Sequence, residues 1–157
     1  VGERPGERAF SGGRVSVVVR RVTAAETRPL RQRILRPQQR VEDLVYPHDD
    51  DAMTLHSGAF DGDAMVGTAT IHPEALDGEA AWRLRGMATV PEMRRKGCGA
   101  ALVRACFDHA RAHGGTLVWC NARTPARAFY EALGFETRGA EFELPNIGPH
   151  YLMIVRI

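Results

Sequence analysis

The stretch Arg85–Leu102, RGMATVPEMRRKGCGAAL, decides how the rest of the chain is read. Its first residues end a β-prone run, Ala81–Thr89, which Val90-Pro91 stops, because proline cannot donate to a ladder and restricts the residue before it. Beyond a basic loop, Cys98 to His113 contains no breaker and closes in Gly114-Gly115, as a helix does. A strand thus runs through a basic, glycine-containing loop into the N-terminus of a long helix. The free N–H groups of a first helical turn and the positive end of its dipole attract anions. Gly97 and Gly99 place no side chain in front of those groups, and Arg94, Arg95 and Lys96 add charge beside them. The segment reads as a phosphate cradle.

The flanking sequence supplies more strands than helices. Residues 1–14 hold four glycines and a proline among Glu and Arg, and read as a disordered tail before one domain over residues 15–157. VSVVV from Val15 is a strand, and Thr27 reads as the N-cap of a helix that carries Pro29 in its first turn and ends at Arg36-Pro37. QQRVEDL is a short helical piece. Met53–Phe60 and Ala64–His72 flank the turn Asp61-Gly62-Asp63 as a hairpin. Thr116–Asn121 is nearly all apolar, as in a strand buried on both faces. Thr124 to Leu133 is a helix stopped by Gly134, and Phe135–Glu143 and His150–Ile157 are the final strands. The order predicts an α/β (α+β) fold with a central mixed sheet and helices on both faces.

Composition bounds what such a domain does. The 157 residues are 44% hydrophobic and 25% charged, which excludes disorder as the main state and suffices for one core. A net charge of +2 gives no reason to expect nucleic acid or membrane as partner. With no apolar run near ~18 residues and no hydrophobic segment in the first fourteen, a cytoplasmic protein is expected. Cys98, Cys106 and Cys120 form neither an even framework nor a CxxC pair, so a reducing compartment and no metal are expected. All basic residues except Lys96 are Arg, a bias that GC-rich codon usage explains without reference to function.

The cradle is not a P-loop, which needs Gly-Lys-Ser/Thr, nor the dinucleotide GxGxxG, because Leu102 stands where the third glycine belongs. The pattern RxxGxG at Arg94, Gly97 and Gly99, after a strand ending in Val-Pro, resembles the acetyl-CoA loop of the GNAT superfamily of N-acetyltransferases. A second segment, Asn121 to Phe135, resembles that superfamily's next motif: a buried strand ending in Asn, a helix with Phe129-Tyr130, then Gly134-Phe135. Gly148-Pro149-His150 before an apolar strand resembles a subgroup of small bacterial members.

The resemblance implies a three-layer fold around a six- to seven-stranded sheet. It also implies transfer of an acetyl group from acetyl-CoA to a primary amine by direct attack in a ternary complex. A small-molecule amine is the expected acceptor. A protein N-terminus or lysine, or a non-catalytic acyl-CoA-binding module, are the alternatives; a homodimer is compatible with any of them. Met87, Ala88 and Thr89 would hold the pantetheine arm, with Gly86 as the site of a bulge that frees an N–H for the thioester carbonyl. Arg94, Arg95, Lys96, Gly97, Cys98, Gly99 and Ala100 would bind the diphosphate, and Asn121 and Phe129 would complete the cofactor site. The Cys98 side chain is expected to turn into the core. Tyr130 is the expected general acid toward the leaving thiolate. The strand WRLRGMAT lacks the carboxylate many family members carry, which leaves His150, Glu143 and His72 as candidate bases. His109 and His113 read as a solvated helix face. Asp49, Asp50 and Asp51 read as a loop, with capture of a cationic acceptor, His56 beside them, as the rival.

Overall fold

The structure, a computed structural model, describes residues 8–12 and 15–157, with side chains from residue 17 onward. Two strands open the chain, β1 (Arg8–Gly12) and β2 (Val15–Arg21), paired antiparallel. Part of the stretch expected to be a tail is therefore strand: the unpaired edge of β2 templates it. Residues 1–7 and 13–14 of that expected tail lie outside the described residues.

Helix α1 (Ala24–Leu30) starts four residues earlier than expected, at Thr23 rather than Thr27. The reason is a capping box: Glu26 N–H donates to Thr23 Oγ1 (3.2 Å) and Thr23 N–H to Glu26 Oε1 (3.0 Å). Pro29 consequently falls inside the helix, and a π-helical turn (Arg31–Leu35) follows it before Pro37 stops the chain. A single 3-10 turn, Val41–Asp43, is what remains of the second helical piece.

The middle of the chain is a meander of β3 (Leu55–Asp61), β4 (Ala64–Pro73) and β5 (Trp82–Thr89). Helix α2 (Cys98–Ala112) leads to β6 (Leu117–Arg123), and α3 (Arg127–Ala132) to three last strands. These are β7 (Glu136–Thr137), β8 (Phe142–Leu144) and β9 (Gly148–Arg156). The expected strand Phe135–Glu143 is thus two short ones, broken around Gly139, whose φ of +85° turns the backbone. With β1, this brings the mixed sheet to nine strands, in the order β1-β2-β3-β4-β5-β6-β9-β7, with β8 beside β9.

Helices cover both faces, as strand alternation shows. His56 points to the α1 side, toward Thr70, and its neighbour Ser57 points to Cys106 of α2. The core lies mainly under α2 and α3, where Leu102, Val103, Cys106 and Ala110 meet Ala59, Leu84, Val118 and Cys120. Among the described residues no helix is long and apolar enough to cross a membrane.

Candidate active site

All strand pairs are antiparallel except β5–β6, and that parallel pair holds for only two positions, Trp82↔Val118 and Arg83↔Trp119. Beyond them β5 continues on β4 as far as Thr89↔Gly67, and β6 continues on β9 as far as Arg123↔His150. The sheet therefore splits into two lips, with backbone N–H and C=O groups of β5 facing the opening. The inner lip is also bulged: between Thr68↔Ala88 and Thr70↔Arg85, β4 advances two residues and β5 three. Gly86, with φ +65°, accommodates the extra residue, where an L side chain would be strained.

At the end of that lip the basic loop turns into α2. A 3-10 turn (Pro91–Met93), pinned by buried Met93, and the left-handed residues Arg95 and Gly97 bring the chain round. Gly97 caps α2 without any side-chain hydrogen bond, so the N–H groups of its first turn stay open to a ligand. Arg94, Arg95 and Lys96 are exposed around this terminus and make no ion pair among the described residues. Cys98 is fully buried against Gly67, and burial pushes its thiol up to about 11. A Cβ at Gly99 would lie 2.9 Å from Met87 Cε and 3.0 Å from Phe129 Cζ. Met87, Gly99 and Phe129 thus form one packed corner beside the helix terminus. Thr89 Oγ1, near the same corner, is buried without a hydrogen-bond partner among the described residues.

The residues expected to act chemically are distributed over both faces. Tyr130 is buried on the α2 side, edge-on to Phe129 (5.0 Å) and Phe135 (5.3 Å). Burial, and then the thiols of Cys120 and Cys106, raise its phenol well above the ordinary value of 10. It stays protonated, which suits a proton donor. His150 lies buried on the opposite side, across from Arg123 at the open end of β6. Its Nδ1–H donates to the Gly148 carbonyl (2.8 Å), Nε2 has no hydrogen bond among the described residues, and its ring stacks on Phe142. Glu143 is exposed and alternates away from Phe142, so it faces away from His150. Asn121 shares the His150 side and, by continuing the β5–β6 register, stands level with Arg85 across the split.

That side, the α1 face, carries side chains the sequence did not single out. Arg31 is fully buried and forks onto Asp49 (Nη1–Oδ2 2.6 Å, Nη2–Oδ1 3.0 Å), with Leu44 O and Thr70 Oγ1 taking further N–H groups. Thr70 in turn donates to His56 Nδ1, and His56 Nε2–H donates to Asp49 O (2.8 Å). Asp49 is thereby committed to Arg31 and to the Tyr46 N–H, and is not free for a cationic acceptor. Tyr46 lies under two guanidiniums, Arg31 at 4.0 Å and Arg85 at 4.4 Å, and both Arg31 and Tyr46 press against Gly86. At the closed end of the split His48 stacks on His72 (4.7 Å), whose buried Nε2 has no partner among the described residues. His48, His72 and Glu74 bring potential metal ligands within 4.8 Å of one another. Asp51 already hydrogen-bonds His48 and Arg83 binds Glu74, so two members of the group have partners within the chain. His109 and His113 lie tilted against each other (4.5 Å) beside Trp82 at the C-terminal end of α2, and His109 Nε2–H donates to Met53 O.

Known proteins share this architecture. Residues 21–135 match the acetyltransferase (GNAT) family. An uncharacterised N-acetyltransferase of Bacillus subtilis (strain 168), YitI, is 34% identical over 138 residues, covering 86% of this chain and 93% of its own. Among solved structures, ElaA of Escherichia coli superposes with a TM-score of 0.71 at 16% identity, over 88% of this chain and 98% of that one. An aminoglycoside 6'-N-acetyltransferase complexed with coenzyme A gives 0.66 at 16% identity, over 88% and 96%. The split sheet, the bulge and the uncapped helix terminus thus stand in a chain that belongs to the acetyltransferase (GNAT) family and is an N-acetyltransferase.

Proposed function

We propose that the protein transfers an acetyl group from acetyl-CoA to the primary amine of a small molecule by direct attack in a ternary complex, in the cytoplasm, through one catalytic domain over residues 15–157. The observation that carries this reading is the split lip of β5, bulged at Gly86, running into the uncapped N-terminus of α2. A thioester is already activated, so the protein's tasks are positioning, carbonyl polarisation and proton traffic. In this reading the open edge of Met87, Ala88 and Thr89 receives the pantetheine arm as an added strand, with the unpartnered Thr89 hydroxyl within the same segment. The diphosphate caps α2 at Gly97, Cys98, Gly99 and Ala100, with Arg94, Arg95 and Lys96 around it. The backbone N–H freed at the bulge takes the thioester oxygen, a donor worth about 2.7–4 kcal/mol in the transition state of acyl transfer. The solved relative bound to coenzyme A supports the choice of donor.

Tyr130 is the acid in this scheme, since its raised phenol keeps the proton until a thiolate develops. The attacking amine must first lose a proton. With an ordinary amine pKa near 10.4 this costs about 4–5 kcal/mol at pH 7, at 1.36 kcal/mol per unit. In this reading His150, paired with Arg123 at the open end of β6 and with Nε2 unpartnered among the described residues, accepts it. His72 sits at the closed end, opposite Arg83, and Glu143 faces away. A thermal-shift titration tests the donor. Acetyl-CoA at about 100 times its dissociation constant adds about 2.7 kcal/mol, a rise of roughly 5–11 °C for a domain of this size. NAD and ATP serve as controls. Equal shifts with all three, or none with acetyl-CoA, overturn the reading.

A further inference from the structure

We propose that the acceptor amine carries a carboxylate, and that Arg85 and Arg123, one on each lip of the split, bind it. The inference rests on the acetyl-transfer reading above and narrows its substrate class. The charges on the α1 face differ in whether they have partners. Arg31 has Asp49, and Arg83 has Glu74 (3.1 Å). Arg85, next along β5 on the same face and immediately before the Gly86 bulge, has no hydrogen bond or ion pair among the described residues. It is half-buried, its Nε is fully buried without a partner among the described residues, and the Tyr46 ring lies under it at 4.4 Å. Arg123, on β6 beyond Asn121, donates to the Leu35 carbonyl, as Arg36 does, and neither pairs with a carboxylate among the described residues. Three carboxylates of this face are already used: Asp49 holds Arg31 and the Tyr46 N–H, Glu74 holds Arg83, and Asp51 holds His48.

A half-buried guanidinium without a counter-ion is costly unless something supplies one. Stacking on Tyr46 offsets part of that cost and leaves the in-plane N–H fork unused. That fork matches a carboxylate in two parallel hydrogen bonds. The position matters as much as the chemistry, because a carboxylate on Arg85 would hold the rest of the acceptor next to the bulge where the thioester is polarised. The same charges repel a polycationic amine. They also disfavour the ammonium form of the bound acceptor, which eases the proton loss that attack requires.

The test compares amino acids with their own amides as acceptors, for example β-alanine with β-alaninamide and L-methionine with methioninamide, beside spermidine. Acetyl-CoA thermal shift is recorded on every variant. The amide's amine is the easier to deprotonate, so reactivity alone favours the amide. The expected result is the reverse: kcat/KM about tenfold or more higher for at least one carboxylate, and Arg85→Gln raising KM for that acceptor by about 10–100-fold and erasing the preference. Arg85→Lys restores part of it, and Arg123→Gln gives an independent loss if Arg85→Gln folds poorly. Acetyl-CoA shifts persist in all of these. Amides or spermidine used as well as the acids, or a preference that survives Arg85→Gln, overturns the inference and leaves acetyl transfer standing. The same holds if no carboxylate is turned over or stabilises the CoA-loaded protein. Absence of any acetyl-CoA shift in the parent protein overturns the acetyl-transfer reading itself, and the carboxylate with it.

Discussion

Replacing Asp49 by Asn removes one charge from a pair whose side chains are 0% and 2% exposed. Asp49 accepts three hydrogen bonds, two from Arg31 and one from the Tyr46 N–H (2.9 Å). Asparagine keeps one oxygen and turns an NH2 group, a donor, toward a guanidinium that is donor on every side. With the remaining oxygen on the Oδ2 side, Arg31 loses one of its two bonds to this side chain, keeps Leu44 O and Thr70 Oγ1, and has its charge uncompensated. Breaking a buried pair from one side costs about 3–5 kcal/mol, which lowers Tm by roughly 6–20 °C for a chain of this length. Although burial pushes the Asp49 carboxyl up, Arg31 and the Tyr46 N–H outweigh it and hold the folded value below the usual one. The pair's contribution is therefore complete above about pH 4, the unfolded value. It disappears as pH falls through the lower folded value. Urea unfolding of the parent and Asp49→Asn should show the full gap at pH 7 and a shrinking one below pH 4. A gap under about 1 kcal/mol at neutral pH, or one that does not shrink in acid, would refute the argument.

Tyr130→Phe is expected to lower kcat by about 10²–10⁴-fold with little change in acetyl-CoA affinity, and unchanged turnover removes Tyr130 from the proton path. Gly99→Val puts branched carbons into the space of Met87 Cε and Phe129 Cζ, so about 1–3 kcal/mol of stability should be lost. The acetyl-CoA thermal shift should go with it, and a stable variant with a normal shift contradicts the packed corner. Burial, ahead of their other interactions, keeps His56, His72 and His109 below their ordinary value. The unfolded chain then takes up protons first as pH falls below about 6.5, so stability is full above that pH and declines beneath it. Urea midpoints at pH 7.5 and 5.5 should differ in that direction, and equal midpoints count against imidazoles held neutral by the fold.

What could be read in advance was whatever leaves a local mark. Pro91 after a β-prone run, Gly97 and Gly99 before a breaker-free stretch, and Gly86 inside a strand each impose a backbone outcome within a few residues, and the structure has the turn, the helix and the bulge there. Thr23-x-x-Glu26 left a mark as plain as any, but Pro29 drew the start toward Thr27, where a proline would have fitted the first turn. The α1 face left none. Arg31 and Asp49 are eighteen positions apart, and Arg31 and Thr70 thirty-nine. In a chain whose basic residues are nearly all arginine, nothing local separates the buried Arg31 or the unpartnered Arg85 from those that coat the surface. Only the third dimension sorts them, because only there do counter-ions become countable.

The two-position seam between β5 and β6 has a kinetic consequence as well. Strands β3, β4 and β5 lie in the sheet in their order along the chain, each beside the one before it, and the short loops that join them are cheap to close. The second lip must instead carry its chain across α2 to reach β5, and it finds only Trp82 and Arg83 to pair with. We predict that the meander forms first on refolding and that β6 and β9 dock late. Sheet signal would then recover before acetyl-CoA binding does, and simultaneous recovery would contradict the order. A protein folding in this sequence completes its cleft as the final act, so the ability to bind acetyl-CoA becomes a report on whether the whole chain has folded.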